Sequence, residues 1–259
     1  MFKYCSLYSG SSGNCFLIQS DNTKILIDAG VSCKKIVSAL IDLNIDINDI
    51  DAILITHEHT DHTKGLTTIS NKYNIPIYIN KKTWLALNSV SDKINKDSII
   101  FFDISNKFQI GNLDVFPFPI SHDAANPCGF NIYYNNKKIS VATDIGYISK
   151  QLLESLKHSN SILLESNYDP SILKYSSYPY LLKKRISGNT GHLSNEIAGK
   201  TLASLYDFGL KNAILIHLSK ENNFPELAYQ TIMNEISNCK NFSFDIAPRN
   251  ATSKIFDVS

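Results

Sequence analysis

The run His57-Glu58-His59-Thr60-Asp61-His62 places three imidazoles and an aspartate within six residues of a chain that has only 7 His. Directly upstream, Asp51-Ala52-Ile53-Leu54-Ile55-Thr56 is short, apolar and rich in β-branched residues, the pattern of a strand buried on both faces. A strand therefore delivers the cluster. In an extended segment His57 and His59 face the same way, because side chains alternate by two, while Asp61 and His62 can turn toward a neighbouring position once the strand ends. That arrangement suits two metals sharing one loop. The helical His-Glu-x-x-His zinc motif needs its second His four positions after the first and does not apply. The bland alternative is a polar turn, which would leave this concentration of histidine to chance.

A length of 259 residues and a hydrophobic fraction of 43% support a globular chain with a sizeable core. Lys+Arg 25 against Asp+Glu 24 gives a formal net charge of +1, so any polyanion must be held locally rather than by a global field. The longest apolar runs, 161–164 and 213–216, fall far short of a membrane span, and Met1-Phe2-Lys3-Tyr4 lacks a signal-peptide core. The expectation is a soluble cytoplasmic protein with no membrane partner. Cys5, Cys15, Cys33, Cys128 and Cys239 are odd in number and form no Cys-x-x-Cys pair, which points to small buried hydrophobes rather than a disulfide framework.

Along the chain, residues 2–7, 14–19 and 24–27 read as three strands of a meander, separated by Ser9-Gly10-Ser11-Ser12-Gly13 and Ser20-Asp21-Asn22. The Gly/Ser loop lacks the Lys and following helix of a P-loop and reads as a plain turn. Asp28 closes the third strand, and Ser32 can cap a helix to about Leu43. After the strand at 51–55 come a helix at 64–71, a strand at 75–79 and a helix at 81–90. Strands at 99–102, 107–110, 113–117, 130–134 and 138–142 open a second β-rich half, and helical signals return after Tyr147. Asn135-Asn136 marks a hairpin. Further strands at 161–164 and 213–216 each precede a polar residue. With no linker, low-complexity break or fixed repeat, the expectation is one α/β (α+β) domain over 1–259, two face-to-face sheets with helices outside.

Candidate ligands recur at the ends of apolar strands: His122 after Phe116-Pro117-Phe118-Pro119-Ile120-Ser121, Asp144 after Ile139-Ser140-Val141-Ala142-Thr143, and His217 after Ala213-Ile214-Leu215-Ile216. Alone, each is better explained as a hydrogen-bonded structural residue; their shared placement along one sheet edge reverses that and favours ligation. Imidazole nitrogens suit zinc and other transition metals, and a carboxylate can bridge two cations. Two metals about 3.5–4 Å apart could activate a water near neutral pH and clamp a phosphoryl or acyl group.

With Asp28, the His57-x-His59-x-Asp61-His62 cluster, His122, Asp144 and His217 in this order, the chain resembles the metallo-β-lactamase superfamily over nearly its whole length. The resemblance implies a four-layer αββα sandwich. It implies that His57, His59 and His122 hold one divalent ion (Zn or Mn), that Asp61, His62 and His217 hold a second, that Asp144 bridges, and that Asp28 supports them from behind. Ser9-Gly10-Ser11-Ser12-Gly13-Asn14, Leu164-Glu165-Ser166-Asn167, Gly191-His192-Leu193-Ser194-Asn195 and His217-Leu218-Ser219-Lys220-Glu221-Asn222-Asn223 look like the YycJ/WalJ group within it. That group implies a 5′-to-3′ exonuclease on double-stranded DNA. Tyr168 departs from its pattern, where His is expected after the Ser-Asn pair.

Ser194 or Asn195 can cap a helix to about Tyr206. His192, just before it, is similar in place to the His of ribonuclease Z that pairs with a Glu and shuttles a proton, and Glu165 is the natural partner. Asp61, Glu165 and His192 are thus the candidate catalytic residues, with Glu165 and His192 as loop-stabilising residues the alternative. Lys183, Lys184 and Arg185 are candidate contacts for a nucleic-acid backbone, with Tyr175, Tyr178 and Tyr180 placed to stack on an end base; a solvated helix face is the competing reading. Other functions compatible with the sequence are hydrolysis of a small thioester, a cyclic nucleotide or RNA, and a non-catalytic regulatory or DNA-binding module.

Overall fold

A computed structural model describes residues 1–258. The first half contains β1 (Lys3–Tyr8), β2 (Cys15–Gln19), β3 (Lys24–Ile27), α1 (Cys33–Asp42), β4 (Ala52–Leu54), α2 (Thr60–Thr63), α3 (Leu66–Tyr73), β5 (Ile77–Asn80), α4 (Lys81–Ala86) and β6 (Ile99–Phe102). The second contains β7 (Phe108–Ile110), β8 (Leu113–Pro119), β9 (Cys128–Tyr134), β10 (Lys137–Ala142), α5 (Lys150–Leu156), β11 (Ser161–Glu165), α6 (Pro170–Tyr175), α7 (Tyr180–Ile186), α8 (Asn195–Tyr206), β12 (Asn212–Ile216), α9 (Pro225–Glu235) and β13 (Ser243–Ile246). A short β14 (Phe256–Asp257) returns to the first sheet, whose order is β14-β1-β2-β3-β4-β5-β6; the second sheet runs β13-β12-β11-β10-β9-β8-β7.

Alternation along the strands builds three apolar layers. In β2, Phe16 and Ile18 face the core between the sheets while Cys15 and Leu17 face the core under α1 and α3. In and just after β4, Ala52 and Leu54 go to the inter-sheet layer and Ile53 and Ile55 to the helix side. This is why the run at 51–55 carries no polar face. Across the second sheet, Leu163, Ile214 and Ile216 meet the first sheet, whereas Ile162, Leu164, Ala213 and Leu215 pack under α5, α8 and α9. Each such buried aliphatic side chain contributes about 1.5–3 kcal/mol relative to exposure. The result is the expected four-layer αββα sandwich.

β3 to β6 pair in parallel, as do β10 to β13, so the carboxyl ends of β3, β4, β10, β11 and β12 carry the loops that form ligand sites in open α/β sheets. The β9–β10 hairpin turns through Asn135 and Asn136, both at positive φ (48° and 61°), the requirement of a tight primed turn. The strand at 99–102, expected to open the second half, is instead the edge strand of the first sheet, paired in parallel with β5. Two helix expectations also need correction. The helix over 81–90 stops at Ala86, because Asn88 enters the left-handed region (φ 50°) and the chain continues as a 3-10 turn. The helix over 64–71 is two pieces: α2 already carries Asp61 and His62, and α3 begins after Gly65 and ends at Asn74 (φ 53°). α6, α7, α9, β13 and β14 lie outside the sequence-predicted elements. Among the described residues, no helix is long and apolar enough to cross a membrane.

Candidate metal centre and active site

The structure gathers the residues singled out at strand ends into one cluster. Asp28 follows β3, His57 and His59 follow β4, Asp61 and His62 ride on α2, His122 follows β8, Asp144 follows β10, Glu165 ends β11 and His217 follows β12. Asp28, Asp144 and His217 all adopt the left-handed region (φ 62°, 58° and 59°), where a side chain costs on the order of 1 kcal/mol. Backbone strain is thus concentrated where strands hand their last residue to the site.

Four overlapping groups have donor atoms within 4.8 Å of one another: His57-His59-His122, Asp61-His62-His217, His57-His62-Asp144 and Asp144-Glu165-His192-His217. The first two coincide with the two ligand sets that the family resemblance implies, and Asp144 lies between them. Its Oδ2 is 3.2 Å from His62 Nε2, and its Oδ1 is 3.6 Å from His122 Nε2 and 3.7 Å from His217 Nε2. Asp61 Oδ2 lies 3.4 Å from His217 Nε2 and 3.5 Å from His62 Nε2. The donor set fits divalent cations. His57 Nε2 is buried without a hydrogen-bond partner, whereas its Nδ1 sits 2.9 Å from Thr56 Oγ1. An orphaned buried nitrogen is costly in an otherwise satisfied interior, and a cation is the group that would satisfy it.

Rear supports hold the rings. Asp28 accepts from Thr56 N (2.9 Å) and Thr56 Oγ1 (2.8 Å), and its Oδ2 lies 2.7 Å from His62 Nδ1. His122 Nδ1 lies 3.1 Å from Gly191 O, and Asn167 Nδ2 donates to His217 O at 2.8 Å. A carboxylate or carbonyl on one nitrogen fixes the tautomer and aims the other into the site. Asn14, Thr56, Asn167 and Ser9, whose Oγ accepts from His217 N at 2.7 Å, were not singled out by residue chemistry. Asn14 lies 3.1 Å from His62 Nε2 through its amide, and its place in the Ser-Gly-Asn run was the available signal.

Charge in the site is balanced by proximity. Burial opposes ionisation of His62, yet Asp144, Asp28 and Asp61 together raise it well above the usual imidazole range. Burial, reinforced by His62, pushes His57 well below that range. For Asp61, burial is outweighed by His62 and His217, which hold the carboxyl below its usual range.

Glu165 is fully buried and saturated. Its Oε2 accepts from Ile145 N (2.6 Å) and Leu193 N (3.1 Å), and its Oε1 lies 2.7 Å from His192 Nδ1. Burial disfavours charged His192, but Glu165 and Asp144 outweigh it and raise its pKa. His192 remains partly open, with 22% of its side chain exposed, and lines a cleft of about 200 Å³ with Ser11, Asp123, Asn167, Arg185 and Ser219.

The three cations of α7 are not equivalent, contrary to their treatment as one backbone-binding run. Lys183 Nζ donates to Lys174 O and Ser176 O, both at 2.7 Å, and so closes the C-terminal end of α6. Arg185 Nε is 2.5 Å from Asp123 Oδ2 at the cleft rim. The Lys184 ammonium makes no ion pair or hydrogen bond among the described residues, and its side chain is exposed. Tyr168 is buried and its backbone bridges Ser194. The five cysteines are free and stand outside the metal-type groups found among the described residues.

A histidine and aspartate centre spread over the carboxyl ends of two packed sheets defines a metal-dependent hydrolase of αββα architecture. The Beta-lactamase superfamily domain model matches residues 23–218, and the chain belongs to this metallo-β-lactamase superfamily. It is 39% identical over 238 residues to Exodeoxyribonuclease WalJ of Streptococcus pneumoniae, covering 91% of this chain and 88% of that protein. It is 38% identical over 226 residues to Exodeoxyribonuclease YycJ of Bacillus anthracis, covering 87% and 86%. Among solved structures, the metallo-beta-lactamase fold protein YhfI from Bacillus subtilis superposes with a TM-score of 0.72 at 14% identity, over 99% of this chain and 100% of that one, which shows a shared fold.

Proposed function

We propose that the chain is a phosphodiesterase that shortens double-stranded DNA from the 5′ end, acting as one domain in the cytoplasm. The observation that carries the reading is the His192–Glu165 pair, 2.7 Å apart, set beside a metal-type cluster whose His57 Nε2 has no protein partner. The names of the two relatives, similar over nearly the full chain, support DNA as the substrate. In this reading His57, His59 and His122 hold one zinc or manganese ion, Asp61, His62 and His217 hold the other, and Asp144 stands between. Two such cations polarise the phosphoryl oxygens and make water nucleophilic near neutral pH.

The chain's own residues then position and protonate. Asp28 and Thr56 keep His62 and His57 aimed inward. Glu165 accepts from His192 Nδ1 and stabilises the ring as the imidazolium, whose second proton, on Nε2, faces the cleft. As the oxygen of water bonds to phosphorus, the bond from phosphorus to the leaving oxygen breaks; His192 Nε2 gives its proton to that oxygen, and the water's proton passes to solvent. Glu165 and Asp144 raise the pKa of His192, which favours the donating form. Lys184 offers an unpaired ammonium to the DNA backbone, while Arg185 meets it only by leaving Asp123.

The test is incubation of metal-loaded protein with end-labelled duplex DNA, single-stranded DNA, RNA and a small thioester, beside Asp61→Ala. Stepwise loss of nucleotides from the 5′ end of duplex, abolished by Asp61→Ala, is expected. Turnover of the thioester alone would replace this function with the small-substrate one.

A further inference from the structure

Beside the cleft lies a second cavity of about 500 Å³, framed by α6 and α7. Tyr168, Tyr178, Tyr180, Lys174, Lys183 and Lys184 line it. Tyr178 also lines the His192 cleft, so the two spaces share a wall. We propose that this cavity receives one unpaired nucleotide, the terminal residue attached to the leaving oxygen, with its base stacked on tyrosine and its phosphate facing Lys184. The inference rests on the phosphodiesterase reading and specifies how that site takes its substrate.

Direction comes from the chemistry of displacement. Attacking and leaving oxygens stand on opposite sides of phosphorus, so the nucleoside on the leaving oxygen lies on the side of the group that protonates it. That group is His192, and the cavity next to His192, across Tyr178, is the one lined with tyrosine and lysine. For cleavage from the 5′ end, the leaving side carries the terminal nucleotide.

Composition matches that occupant. A tyrosine face stacks on any base, as release of successive nucleotides without regard to sequence requires. Tyr180 is 75% exposed and makes no ring–ring contact among the described residues. Lys183 is spent on the carbonyls of α6 and Lys174 lies over the ring of Tyr175 at 5.1 Å, which leaves Lys184 as the lining cation with no ion pair, hydrogen bond or ring contact among the described residues. The volume lies within the range of small-molecule sites, roughly 300–1,000 Å³, and suits a single nucleotide rather than a length of duplex. Such a pocket would require the end of the strand to be frayed before cutting.

The experiment compares metal-loaded wild type, the double variant Tyr178→Ala/Tyr180→Ala and its phenylalanine counterpart on two duplexes, one with an intact 5′-terminal nucleotide and one abasic there. Wild type should lose about ten- to a hundredfold in kcat/KM when the base is removed. The alanine variant should lose the same factor on the intact end and match wild type on the abasic end, and the phenylalanine variant should restore the difference. Equal losses on both ends would make the tyrosines structural and overturn the proposal, as would no loss on either. Failure of wild type to release nucleotides from any DNA end is a separate result, which overturns the phosphodiesterase reading and this inference with it.

Discussion

His192 and His217 share one oxygen of Glu165, whose Oε1 lies 2.7 Å from His192 Nδ1 and 3.0 Å from His217 Nδ1. A single buried carboxylate therefore holds both the proposed proton donor and a candidate ligand. His192→Ala should lower kcat by about 10²–10⁴-fold with metal content unchanged. Glu165→Ala should lower kcat at least as far and also weaken metal binding about 10–100-fold, because His217 loses its support. Turnover together with metal content by elemental analysis separates the two; equal metal loss in both variants would reduce His192 to a structural role.

The proton balance of the cluster predicts opposite pH responses with and without metal. Burial disfavours charged His217, but Asp144, Asp61 and Glu165 outweigh it and raise its pKa to about 10. A folded pKa above the unfolded value, roughly 6.5, adds stability that is fully present below about pH 6.5 and is lost as pH rises through about 10. Divalent ions need the neutral imidazole and so compete with that proton. The melting temperature of metal-free protein should fall between about pH 7 and pH 10, and the gap between loaded and metal-free protein should widen. Thermal scans across that range check it, and a gap that narrows would contradict the assignment.

Gly30 gives the ligand loop its room. A Cβ there would lie 1.7 Å from Asp61 O and 2.5 Å from Asn14 N, backbone atoms that already bond to each other at 2.8 Å. Gly30→Ala should destabilise the protein by about 3 kcal/mol, the upper end for overpacking, and lower metal content as Asp61 is pushed aside. Urea unfolding with metal analysis measures both effects.

The neighbouring lysines of α7 should behave differently. Lys184→Ala should reduce the slope of log binding constant against log salt for duplex DNA by about 1, the signature of one lost phosphate contact. Lys183→Ala should instead lower the melting temperature, since two carbonyls at the end of α6 lose their donor. Equal salt slopes for wild type and Lys184→Ala would remove Lys184 from the interface.

Much of the site was legible because its signals are local. A buried strand shows as an unbroken apolar run, and the polar residue that ends it is adjacent in sequence; Asp28, His57, Asp144 and His217 were found in this way. α6 and α7 were missed because they are 6 and 7 residues long, too short for a helical period to emerge. Lys183, Lys184 and Arg185 looked alike because the sequence shows their common charge but not the neighbours that each meets, although consecutive residues on a helix point about 100° apart.

By itself the sequence determined the alternation that makes two sheets with three apolar layers, and the ligand types at their ends, since both depend on residues a few positions apart. Only the tertiary structure decided which nitrogen of each histidine faces the centre. His62 is turned by Asp28, His217 by Glu165 and Asn167, and its backbone is held by Ser9, 208 residues away. Such contacts close loops whose ends carry no mark of one another in sequence, and they form only when packing brings the strand ends to one edge.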